Sequence, residues 1–244
     1  MDLPHILGLA MVLYFVVFSI VDEHRIRTLD DPDREPVTAP PASTPQTRKA
    51  EELARNRMDL MKKRKLGHLL LADYRLSSRL TRKDMTSPDS IRKKLDEMFQ
   101  EMLRYLNLPP TFTVEVVPDE DRTIAPDRDA ECNFALHKIR FFLRSCFTPE
   151  QLTNMLCHEC AHYFCYHYNM YEFKRFRLNE LYTDTVACLM GFSKYMIIPD
   201  PICYLKPEQM RAVRWTLLQE RGTVPAGQAG EENSVSSLRR SAPG

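Results

Sequence analysis

The stretch LCHECAHY, residues 156–163, decides how this chain is read. It holds His158-Glu159-Cys160-Ala161-His162, two histidines four apart with a glutamate after the first. On a helix, residues four apart stand one above the other on one face. Two imidazoles in that position reach a single metal ion at about 2.0–2.1 Å each. Glu159 points to the neighbouring edge of that face, where a carboxylate can take a proton from water without ligating the ion. The helix assignment rests on local signals. Thr148-Pro149-Glu150-Gln151 is a capping box with Pro at the first helical position, and it starts a helix predicted to run to about Tyr168.

A catalytic metal needs a third protein ligand and an open position. Glu180 lies eighteen residues after His162, in the stretch Asn179-Glu180-Leu181-Tyr182-Thr183-Asp184, on a helix predicted over about 173–195. Glu180 and Asp184 are again four apart. One carboxylate can ligate, and the other can accept from the far nitrogen of a ligand histidine and fix its tautomer. Spacing alone leaves open which of the two ligates. Cys157 and Cys160 overlap the motif as a C-x-x-C. They read as buried thiols, with a structural zinc site as the rival. Cys165, three residues after His162, is a further candidate for the metal's neighbourhood.

HECAH followed by NELYTD resembles the gluzincin metallopeptidases, in which HExxH is followed on a second helix by NExxxD. The resemblance covers about residues 87–195 and implies an α+β zincin-like domain with a small sheet. It implies Zn2+ as cofactor, held by His158, His162 and Glu180, with Glu159 as general base and Asp184 supporting a histidine. The implied activity is hydrolysis of a protein or peptide substrate. The alternative is a pseudo-peptidase that keeps the fold and works as a binding or regulatory module. A third reading is a scaffold in which the motif is fortuitous. No large second subdomain of the thermolysin kind is legible. The residue that would steady the oxyanion is not given by either motif, with Tyr163, His167 and Tyr182 as candidates. In gluzincins an edge strand pairs with extended substrate, and residues 134–144 are the expected counterpart.

The elements around the motif follow from pattern. Ser87-Pro88 starts a helix to about Leu106, stopped by Pro109-Pro110. TFTVEVV (111–117) alternates as a strand, and 132–147 reads as a second strand. Pro207 to Glu220 reads as a last helix, with Gly222 just past it. Residues 48–82 are helical in pattern, with Gly67 as a break. Arg48 to Lys94 holds fifteen basic and six acidic residues, a solvated face or a contact for anionic lipid headgroups.

The ends of the chain differ from its middle. MDLPHILGLAMVLYFVVFSIV (1–21) is apolar over about the ~20 residues a transmembrane helix requires. It lacks the basic flank and cleavage site of a signal peptide, so it reads as an uncleaved anchor. Basic residues follow the span and none precedes it, which predicts a single-pass membrane protein with its body on the cytoplasmic side. The seven cysteines, in no disulfide-like spacing, agree with a reducing compartment. Residues 22–47 read as a Pro-rich tether, 48–86 as a basic helical region, 87–221 as the zincin-like domain, and 222–244 as a disordered tail. A net charge of +1 gives no reason to expect nucleic acid.

Overall fold

The computed structural model describes residues 41–71, 73–118, 129–171 and 176–222. Helix α1, Pro45–Lys63, is started by a reciprocal capping box. The Thr44 hydroxyl accepts from the N–H of Thr47, and the Thr47 hydroxyl accepts from the N–H of Thr44. Its buried stripe is Ala50, Leu53, Ala54, Met58 and Met61, the spacing of one helix face. Helix α2, Pro88–Tyr105, is capped by Ser87 and buries Ile91, Leu95, Met98, Phe99, Met102 and Leu103. Asn107, at φ 52°, turns the chain out of α2 towards the sheet.

The sheet has three strands: β1 Thr113–Val117, β2 Ala130–Asn133 and β3 Lys138–Phe142. Their order is β1-β3-β2, so β3 is central. It runs parallel to β1, with Val114 opposite Ile139, and antiparallel to β2, with Cys132 opposite Ile139. Helix α3, Pro149–His167, then crosses the domain, followed by α4, Phe176–Leu189, the single turn α5, Ser193–Met196, and α6, Pro207–Glu220. β1 packs on α2, β2 on α3, α3 on α4, and α1 on both α4 and α6. One continuous apolar cluster joins all of these, from Ala50 to Leu217.

Helix α4 is stopped by Gly191, at φ 92°, a conformation that favours glycine. The space is tight as well, because a Cβ there would lie 2.9 Å from the backbone nitrogen of Tyr74. The Tyr74 N–H donates to the Gly191 carbonyl at 2.7 Å, and the Leu71 N–H to that of Leu189 at 3.0 Å. Asp73 in the same segment accepts from the buried guanidinium of Arg214 on α6 at 2.8 Å. The segment before α2 is thereby tied to the end of the helix that carries Glu180.

Several expectations are corrected. The fold class with an N-terminal transmembrane helix, and the single-pass membrane location built on it, do not stand. Among the described residues no helix is long and apolar enough to cross a membrane. The two longest, α1 and α3, are each 19 residues. The first carries charges along its length and the second is interrupted by Glu150, His158, Glu159 and His162, which hydrocarbon would not accommodate. Residues 1–21, most of the tether and residues 223–244 lie outside the described residues. The fold is a mixed one, helices with a small sheet.

The 132–147 strand is a hairpin and a loop instead. Asn133 accepts the Leu136 N–H on its side chain at 3.0 Å, and His137 takes φ 52°, so the chain reverses between β2 and β3. Residues 134–144 hold the central strand rather than an edge, and β2 is the edge strand on the α3 side. The helix expected over 173–195 is divided at Gly191 into α4 and α5. Helix α1 begins at Pro45, inside the expected tether, because the Thr44 box lies there. It shares the core of the expected 87–221 domain, so the boundary at 86/87 crosses a packed interior.

Candidate metal centre

Helix α3 is central, buried on nearly every face from Leu152 to Ala161. A helix so placed brings polar side chains into the interior, where they need partners. The Asn154 amide donates to the Tyr195 carbonyl at 3.3 Å and accepts the Ile202 N–H at 2.9 Å, which pins the segment after α5 beside α3. One turn further on come His158 and Glu159, both buried, and then His162, half-buried.

The two imidazoles converge. Nε2 of His158 and Nε2 of His162 lie 2.9 Å apart. Oε2 of Glu180, from α4, lies 3.2 Å from the first and 3.1 Å from the second. The outer nitrogens face away from this triangle. Nδ1 of His158 donates to Oδ1 of Asp184 at 2.7 Å. Nδ1 of His162 meets the hydroxyl of Tyr171, which itself donates to the His162 carbonyl at 3.1 Å, and lies 3.3 Å from the hydroxyl of Thr183. With Nδ1–H engaged on the outside, both Nε2 lone pairs point at the Glu180 carboxylate.

Three acceptors crowded together repel one another unless a cation or a proton lies among them. A circle through points with these separations has a radius of about 1.8 Å, just inside the ~2.0–2.1 Å of zinc–imidazole and zinc–carboxylate bonds, so one ion can touch all three. His158, Glu159 and His162 form a buried group that could hold a metal ion, with one ligand atom from each within 4.8 Å of the others. Glu180 is the carboxylate at hydrogen-bond distance from both rings. Asp184 has no free oxygen for a metal, since its Oδ2 accepts the N–H groups of Tyr204 at 2.7 Å and Leu205 at 2.6 Å.

The electrostatics agree with that geometry. Burial pulls His158 down, but the charge and hydrogen bond of Asp184, then Glu180 and Glu159, carry its pKa well above the usual value. Burial pushes Glu180 up, and the imidazoles of His158 and His162 beside it outweigh this and hold it at about 2. Burial raises Glu159, with the two histidines pulling against it. The site is a negative field around two imidazoles, a setting that attracts positive charge.

A cavity of about 880 Å³ opens over the triangle. Its floor is His158, Glu159 and His162. One wall is the β2 hairpin, residues 129–135, and the other is Asn179, Glu180 and residues 202–204. Tyr171 and Tyr204 belong to the site and were not singled out from sequence, because both sit in loops with no periodic signal. The three oxyanion candidates lie elsewhere. The Tyr163 hydroxyl donates to Pro109, His167 packs on Tyr163 and Tyr168, and Tyr182 lies under the Arg57 guanidinium at 3.6 Å. Cys157 and Cys160 are fully buried and burial pushes both thiols up, which disfavours the thiolates a rival zinc site needs. Cys165 is buried too, and burial raises it to about 12 against the pull of Arg57.

No family model, curated protein or solved structure matches this chain.

Proposed function

We propose that this chain is a zinc-dependent metallopeptidase of the gluzincin kind. The observation that carries the reading is the triangle of His158 Nε2, His162 Nε2 and Glu180 Oε2, each side 2.9–3.2 Å, with Nδ1 of both histidines held from outside. Two imidazoles and one carboxylate, from residues i and i+4 of one helix and one residue of the next, suit zinc better than the all-oxygen sets of magnesium or calcium. When bound, zinc supplies a Lewis acid that polarises a carbonyl and makes water more acidic.

The protein residues supply the rest. His158, His162 and Glu180 hold the ion. Asp184 keeps His158 in the Nδ1–H tautomer, and Tyr171 does the same for His162. Glu159, on the cavity floor beside both rings, takes a proton from water and returns it to the departing amine. β2, the edge strand along the cavity, offers main-chain groups to an extended backbone.

The first experiment is zinc stoichiometry on the full chain, wild type and His162→Ala. One zinc per chain, lost in the variant, is the expected result. Absence of zinc from well-folded wild type would sink the reading. The second is turnover of a quenched peptide pool by the wild type and Glu159→Gln, both zinc-loaded. A fall of about 10²–10⁴-fold is expected for loss of a general base. Equal, negligible rates would leave a zinc-holding binding module.

A further inference from the structure

Four large apolar side chains stand exposed among the described residues: Leu136 at 56 %, Tyr166 at 50 %, Phe176 at 70 % and Tyr204 at 52 %. They are not scattered. Tyr166, Phe176 and Tyr204 line the cavity, and Leu136 sits at the tip of the hairpin whose residues 129–135 form one wall. Exposed large apolar groups gathered at a single mouth are placed for contact.

The placement has a direction. Tyr204 stacks over the His158 ring, with centroids 6.0 Å apart and planes 26° apart. Tyr166 stacks on Phe134 at the end of β2, centroids 4.2 Å apart and planes 26° apart. His158, on which Tyr204 stacks, and Tyr166 are eight residues apart on α3, so the two helix positions that carry the aromatic pads lie about 12 Å apart along it, at a rise of ~1.5 Å per residue. Glu159 and His162 lie between them. An extended chain advances about 3.3 Å per residue and shows alternate side chains to the same face. Residues four apart then lie ~13 Å apart on one face, which matches the pad separation.

From this juxtaposition we propose that the site selects extended polypeptide carrying large apolar side chains on both sides of the reacting bond, about four residues apart. One is gripped by Phe134 and Tyr166 and the other by Tyr204. The proposal rests on the peptidase reading for its reacting bond, while the two pads can be tested without turnover.

Two experiments on the full zinc-loaded chain separate the cases. Wild type is given an unfolded protein digest pool and its cleavage positions are mapped by mass spectrometry. Zinc-loaded Glu159→Gln is titrated with fluorescent decapeptides that carry two leucines four apart, the same residues as serine, or the same as aspartate, read by anisotropy. Expected are cleavage sites flanked by large apolar residues and at least tenfold tighter binding of the leucine peptide. Tyr166→Ala and Tyr204→Ala, at exposed positions where the fold is not at stake, should each erase most of that preference. Cleavage with no apolar preference, or equal binding of all three peptides, overturns the proposal while leaving the peptidase reading standing. Leucine-peptide binding that depends on Tyr166 and Tyr204, without any cleavage by wild type, supports the pads and removes the peptidase reading.

Discussion

Asp184 Oδ1 accepts from Nδ1 of His158 at 2.7 Å, and the same carboxylate holds the chain at Tyr204 and Leu205 through its other oxygen. One buried side chain therefore sets both the tautomer of a histidine in the candidate metal centre and the position of a cavity wall. Asp184→Asn keeps the shape but turns an amide N–H₂ towards donors on one side or the other. Metal affinity should fall about 10–100-fold. Stability should fall by about 1–3 kcal/mol for the unsatisfied donors. Zinc titration and urea unfolding check the two separately, and a variant that loses neither would show that the carboxylate is dispensable.

Removing metal should lower the melting temperature. An ion that binds only the folded chain stabilises it by about 2.7 kcal/mol at a free concentration 100 times Kd. For a domain of this size that corresponds to a shift of roughly 5–10 °C. Chelator should lower the melting temperature of wild type, added zinc should restore it, and His162→Ala should respond to neither. A wild-type curve indifferent to chelator would argue against a resident ion.

Gly191 is a position where only glycine fits. At φ 92° and with the Tyr74 backbone 2.9 Å from a built Cβ, Gly191→Ala must shift main chain. A left-handed alanine alone costs about 1–2 kcal/mol, and the clash adds to it. Gly67 is the control, since its built Cβ meets nothing nearer than 3.6 Å. Gly67→Ala should be neutral or stabilising by about 0.4–1 kcal/mol. Equal urea midpoints for the two variants would refute the assignment.

Glu101 gives a pH dependence away from the metal site. Burial raises its pKa, but the Ser77 hydroxyl, the N–H groups of Ser77 and Ser78, and the Tyr74 hydroxyl together hold it below the ordinary 4.5. A depressed folded-state pKa means stability that is fully present above the unfolded value and lost as pH falls through the folded one. The stability gap between wild type and Glu101→Gln should therefore be widest near neutrality and shrink in acid. Urea unfolding at a series of pH values measures it, and a gap that widens in acid would contradict the hydrogen-bond account.

The helices were legible because their starts are written locally. The capping box at Thr148 and the Ser87 cap followed by Pro88 fix α3 and α2, and the i, i+4 spacing of His158/His162 and Glu180/Asp184 puts each pair on one face. The β2–β3 hairpin was not, because alternation runs through Asn133 to His137 and conceals a reversal that depends on one side-chain acceptor and one left-handed residue. That β3 lies between its partners depends on pairing between distant segments, which no local pattern encodes. Tyr171 and Tyr204 reach the site from loops. Arg57 looked like surface charge, yet it is buried against Tyr182 and donates to the Met170 carbonyl at 3.3 Å.

The packing of α1 on α6 has a bearing on how the protein is made. Lys62 pairs with Glu220, and the Arg221 guanidinium donates to the Leu70 carbonyl at 3.1 Å, across more than 150 positions of sequence. Helix α4, which carries Glu180, is packed against both helices. While the polypeptide is still emerging from a ribosome, the part of α1 that packs on α6 has no partner until α6 has been synthesised. Closure of such distant contacts is slow and leaves apolar surface open in the meantime. Nascent chains halted before residue 207 should bind holdase chaperones and leave α4, which carries Glu180, without the support of α6, so competence for metal should appear late in synthesis.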